Sequence, residues 1–189
     1  RQQLGYAIFY DEMGISGWGW GYEQPQDSYG GVLFTSEEAG FLTEIDIGIR
    51  SAPVALQIFV YNSFSNNTPG DLVLSKDIYV ESTGWHSENI DSIEVQLNSD
   101  FFVCVKINDS YAISYDNNSD LSGRSFISDN GINYNDNISN YGNVNIRSKI
   151  SYINELNSES IINNPNDYKL YTAYPNPAKD ELMIDIELD

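Results

Sequence analysis

The sequence predicts an all-β chain: an antiparallel β-sandwich of jelly-roll type, followed by a linker and a partial β tail. Three observations carry this. Short apolar–polar alternations with a period of two recur along the first 150 or so residues. Clusters of Gly, Pro, Asn and Asp separate them, as turns separate strands. No stretch has the 3.6-residue apolar spacing of an amphipathic helix. Roughly eight to ten short strands punctuated in this way are expected of a sandwich or jelly roll.

Taken in order, YAIFY from Tyr6 to Tyr10 is the first strand, ending at Asp11-Glu12. The glycine-rich stretch from Met13 to Gly30 breaks any helix or long strand and reads as a loop carrying Trp18, Trp20, Tyr22 and Tyr29. Gly31 to Thr35 is the next strand. The run from Leu42 to Asn62 is the centre of the pattern. Thr43, Ile45, Ile47 and Ile49 share one side of its first half, with Glu44 and Asp46 on the other. Val54, Leu56, Ile58 and Val60 share one side of its second half. The two halves are read as neighbouring antiparallel strands, each with one face to a core. They are joined by Ser51-Ala52-Pro53, where the missing N–H of proline stops the ladder.

Leu72 to Val80 and Trp85 to Ile90 follow as strands around a turn at Thr83-Gly84. Phe101 to Asn108 alternates again, with Phe101, Val103, Val105 and Ile107 on one side. Ala112 to Asp116 and Arg124 to Ser128 are short strands, and an Asn-rich loop runs on to Gly142. Asn143 to Ile150 closes the set, with Val144, Ile146 and Ile150 inward and Asn145, Arg147 and Lys149 outward. The resulting organisation is a sandwich over residues 1–152, a polar linker over 153–167 and a further unit over 168–189. The linker is too poor in large apolar residues to repay its ordering entropy.

Composition limits the function classes. The formal net charge is -19, which repels nucleic acid and anionic lipid. Such a surface suits an exported protein or one that gathers divalent cations. No apolar run reaches the ~20 residues of a membrane helix. The single Cys excludes an internal disulfide framework. The sequence opens at Arg1 directly into a strand-like run without a signal-peptide pattern, as expected of a piece of a longer chain.

Candidate chemistry is sparse. Cys104 and His86 are one of each, but a thiol inside an apolar strand is expected to be a core residue, not a nucleophile. His86 is expected at the surface or paired with Glu88. The carboxylates Asp11-Glu12, Glu37-Glu38 and Asp116 with Asp120 are read mainly as a solvated acidic face. Asp116, Asn118 and Asp120 alternate along a loop, as oxygen ligands of calcium do. The competing reading is an Asx-rich turn that bonds its own backbone. Asp11 and Glu12 are an alternative calcium site. Trp18, Trp20 and Tyr22, with Trp85, are candidates for a sugar-stacking platform; the alternative is that these rings cap an open end of the core.

Two resemblances add to this. Tyr174-Pro175-Asn176-Pro177, then Lys179-Asp180-Glu181-Leu182, then the alternation from Met183 to Leu188, resemble the start of the C-terminal sorting domain of type IX secretion cargo. That resemblance implies a tail that guides a folded cargo across the outer membrane through the type IX machinery. The later strands and glycine motif of that family lie beyond the matching stretch. Along the first 150 or so residues, several pieces in matching order resemble the lectin-like sandwich that follows papain-type cysteine peptidase domains in bacterial surface proteins. They are Tyr10-Asp11, Trp18-Gly19-Trp20-Gly21-Tyr22, Val32-Leu33-Phe34-Thr35, Phe41-Leu42-Thr43, Tyr61-Asn62, Thr83-Gly84-Trp85, Phe102-Val103 and Gly123-Arg124-Ser125. Together the resemblances imply a non-catalytic accessory domain of a secreted or surface protein. Its parent is then a cysteine or serine peptidase with the catalytic domain upstream. A glycan or protein at the cell surface is the expected further partner; a stand-alone glycosidase using paired carboxylates is the rival reading.

Overall fold

The computed structural model describes residues 3–11, 14–15, 19–20, 26–108, 111–136, 138 and 141–153. Its strands are β1 (Gln3–Ile8), β2 (Gly19–Trp20), β3 (Ser28–Thr35), β4 (Gly40–Ile49), β5 (Val54–Tyr61), β6 (Phe64–Ser65) and β7 (Thr68–Pro69). They continue as β8 (Leu72–Val80), β9 (Gly84–Val95), β10 (Asp100–Ile107), β11 (Ile113–Asp116), β12 (Ser125–Ser128), β13 (Asn143–Val144) and β14 (Ile146–Ile153). One sheet runs β1-β14-β4-β11-β13, with β2 added on β11 and β9 on β4; the other runs β12-β3-β10-β5-β8. Every pairing is antiparallel, as hairpin-rich sheets with one wet face favour. β1 and β14 pair along their whole length, from Gln3 opposite Ile153 to Ile8 opposite Ser148.

The sheets pack face to face as an antiparallel β-sandwich. The inward residues expected from period-two spacing are all buried: Ile45, Ile47, Ile58, Val60, Val103, Val105, Val144 and Ile146. One apolar cluster contains them, drawn from both sheets.

The central pair is not a hairpin, and this corrects the sequence expectation. β4 lies between β14 and β9, with Ile47 opposite Ile146 and His86. β5 lies between β10 and β8, with Ile58 opposite Val105 and Lys76. At Ser51-Ala52-Pro53 the chain crosses from one sheet to the other. Alternation fixes which face of a strand is inward; it does not choose the neighbour. Two successive strands that bury one face each satisfy the same pattern side by side or across a core.

The strand β10 is apolar on both sides. Phe101, Val103 and Val105 enter the main core, while Phe102 and Cys104 enter a second cluster with Phe126 and Tyr134. That cluster sits on the outer face of the β3–β10–β5 sheet. Phe64 covers it from β6, its ring centre 4.4 Å from that of Phe102 and 4.6 Å from that of Phe126. Tyr134, from the Asn-rich loop, meets Phe102 edge-on at 5.0 Å. Cys104 is completely buried, its sulfur 2.9 Å from the Tyr134 hydroxyl. Burial pushes the thiol up to about 12, so at neutral pH it is protonated and packs as a small apolar residue.

Candidate functional site

Asp11, just past β1, is fully buried. Arg147 on β14 reaches it: Nε donates to both carboxylate oxygens at 3.1 and 3.2 Å, and Nη2 donates to the Asp11 carbonyl at 3.2 Å. Asn145 Nδ2 adds a bond to the carboxylate at 2.7 Å. Burial outweighs these bonds and raises the Asp11 carboxyl above its ordinary value. The Arg147 guanidinium also stacks on two rings, 4.0 Å from the centre of Trp85 on β9 and 4.9 Å from that of Phe9. This assembly ties the segment after β1 to β14 and β9. Trp85 keeps 38% of its surface exposed, while one face of its ring is covered by the guanidinium.

Trp20 is placed otherwise than in a stacking platform. It is 5% exposed, within the main core, and its ring lies against β3 at Gly30, where any Cβ would run into the indole. A ring held against glycine on the core side has no face left for a sugar. Trp18, Tyr22 and Glu12 lie outside the described residues, as do Tyr174, Pro175, Asn176 and Pro177.

Asp116 ends β11 and is buried. Its Oδ1 accepts from the Asn118 and Ser119 amides at 2.9 and 3.3 Å, and its Oδ2 accepts from the Ser119 hydroxyl. The carboxylate is thus engaged by its own turn, in the manner of an Asx turn. The side chains of Asn118 and Asp120 are exposed. Among the described residues no three His, Cys, Asp or Glu converge so as to hold a metal ion. His86 takes its expected partner, with Nε2 3.1 Å from Glu88.

A feature that the sequence did not reveal lies along the open side of the sandwich. β8 and β9 follow one another in the chain but end different sheets; β8 pairs with β5 and β9 with β4. Between them is a cleft of about 590 Å³, within the range of small-ligand sites. Its floor is aliphatic and aromatic, from Val60, Leu74, Ile93, Val95 and Phe101, and its acidic residues are Asp91, Glu94 and Asp100. Farther along the same side, Lys76 Nζ joins β8 to β9, 2.6 Å from Glu88 and 2.7 Å from the Asn89 carbonyl. Partial burial would raise the Glu88 carboxyl, yet Lys76 and His86 together hold it below its ordinary value.

Both strands that wall the cleft are irregular there. Opposite β4, three residues of β9 (Ile90, Asp91 and Ser92) span the step that Thr43 spans alone. Opposite β5, β8 carries the extra Val73 between Leu72 and Leu74. Such bulges bend strands and re-aim side chains, and they recur beside functional sites. The spacing from Ile90 to Ile93 breaks the period of two, which is why alternation ended this strand at Ile90 while the structure carries it to Val95. That break was the available signal.

A family model described as a lectin-like domain matches residues 8–150. No curated protein matches this chain. Among solved structures, that of the cysteine protease and lectin-like domains of Cwp84, a surface layer associated protein of Clostridium difficile, is 15% identical. It aligns over 68% of this chain and 33% of that one with a TM-score of 0.55. A second structure, of a variant of the clostridial cysteine protease Cwp84 after propeptide cleavage, is 14% identical. It aligns over 80% of this chain and 40% of that one, also at 0.55. The chain thus spans between a third and two fifths of those proteins, and at these identities the likeness is one of fold.

Proposed function

The chain belongs to the lectin-like domain family, and from that premise we propose that it is a non-catalytic accessory domain of an exported multidomain bacterial protein. In this reading a peptidase domain lies upstream, and the segment from Tyr168 is the start of a type IX sorting tail. The family membership carries the proposal. It is supported by a protein of the same fold that combines cysteine protease and lectin-like domains. The groups that would serve catalysis are otherwise occupied: Cys104 is sealed in an aromatic cluster, His86 is on Glu88, Asp11 is on Arg147 and Asp116 is in its turn. None forms a nucleophile–base pair. No helix among the described residues is long and apolar enough to cross a membrane.

Exposure of Trp85 favours a second reading, in which the domain is a glycan-binding module or adhesin. Two measurements test the accessory reading, one against an enzyme and one for the sorting tail. The purified chain should turn over none of a panel of peptide and glycoside substrates; turnover abolished by one carboxylate substitution would overturn the accessory reading. A reporter carrying the complete version of the tail should reach the surface or medium of a cell with type IX secretion. Its retention in the periplasm would remove the sorting assignment and leave the rest standing.

A further inference from the structure

The cleft between β8 and β9 has the chemistry of a site, and no role described above uses it. Its floor is mostly branched aliphatic side chains, which are shaped for another aliphatic side chain, and Tyr61 in its lining already stacks on Phe59, with ring centres 6.3 Å apart. Phe101 is 3% exposed and stacks on Phe34, with ring centres 5.4 Å apart, so its face is already taken. The lining contains carboxylates and no Lys or Arg. Asp100 accepts a bond from Thr35 at 2.5 Å and lies 3.9 Å from Arg124. Asp91 and Glu94, both exposed, therefore set the sign of the rim. In a chain of net charge -19, a carboxylate-rimmed apolar groove selects cations with an apolar body.

The bulges indicate how such a ligand is met. Val73 and the Ile90–Ser92 segment interrupt the ladders where the cleft opens. Bulged edges resist the docking of a long regular strand. They also turn Val73, Asp91 and Ser92 into the cleft wall, so recognition there rests on side chains.

We propose that this cleft binds a basic, aliphatic peptide segment of a partner protein, seating an aliphatic side chain between the sheets and flanking Lys or Arg residues on Asp91 and Glu94. The site is independent of the accessory role. Absence of peptide binding would leave that role intact, and enzymatic turnover would overturn the role without touching the cleft.

Fluorescence anisotropy on the intact chain with a labelled hexapeptide alternating leucine and lysine tests this. Saturable binding is expected, and replacing lysine by glutamate, or leucine by serine, should abolish it. The double variant Asp91→Lys, Glu94→Lys should weaken binding about tenfold or more, and Val73→Ser, at an exposed position, should weaken it by a smaller factor. The control Glu37→Lys, Glu81→Lys makes the same charge change at exposed positions outside the cleft lining and should leave binding within about twofold. Equal losses in the cleft and control variants would reduce the effect to general charge attraction and overturn the proposal. So would the absence of saturable binding, or displacement of the peptide by a neutral oligosaccharide, which would assign the cleft to a glycan.

Discussion

Replacing Arg147 by alanine is expected to destabilise the domain by about 3 kcal/mol at neutral pH, the low end for breaking a buried ion pair, because Arg147 itself is partly exposed. The loss is large because of what remains: a carboxylate with no exposure, held only by Asn145 and local backbone. The cost should shrink in acid. Asp11 is already raised above its ordinary value of 3.8 by burial, and without the guanidinium it rises further. Between 3.8 and the raised folded value, the native state binds a proton that the unfolded chain has released. Stability therefore falls as pH increases through that window and levels off above it. Below 3.8 both states carry the proton, and the Asp11 part of the deficit disappears. Denaturant melts of wild type and Arg147→Ala at neutral and mildly acid pH measure the gap. A gap that is constant with pH would mean that Arg147 acts only by stacking on Trp85 and Phe9.

Truncating Ile47 to alanine should cost about 2–5 kcal/mol. Ile47 has no exposed surface and stands in β4 between Ile146 and His86, with the second sheet across from it. The strands on both sides are fixed by their own ladders, so the vacated volume cannot collapse easily. At ~2–4 °C per kcal/mol for a domain of this size, the melting temperature should drop by about 10 °C. Phe41→Ala, at an exposed position of the same strand, should lose much less. Similar losses at the two positions would contradict the assigned orientation of β4.

What alternation can reveal, it largely revealed: the inward faces of β5, β10, β14 and of β4 from Ile45 onward are as the spacing predicts, while at the bulge near Thr43 it is Leu42 that is buried. What it cannot reveal is partnership. The crossing at Pro53 was invisible because hairpin and arch impose the same period. The second cluster was hidden differently. Its cover comes from Phe64 in a two-residue strand and from Tyr134 in a polar loop, and neither has a periodic neighbourhood. The run Phe101-Phe102-Val103-Cys104-Val105 was read as one-sided alternation, although its unbroken apolar sequence carries the mark of burial on both faces. The Asp11–Arg147 pair joins residues from opposite ends of the domain's sequence, and no local rule couples residues so far apart. Trp85 is partly exposed and Trp20 is buried, which shows why aromatic composition alone does not place a ring. The cleft arises from residues that break the strand pattern, which regular alternation does not mark.

The pairing of β1 with β14 has a mechanical consequence. Gln3 and Ile153 sit opposite one another at the same end of that antiparallel ladder. A load applied through the two ends of the domain pulls them directly apart, along the direction of the hydrogen bonds, which run across the strands. The bonds then fail one after another from Gln3 toward Ile8, as a zipper opens, instead of sharing the force together as they would in shear. Under such a load the domain is expected to open first by peeling β1 away from β14.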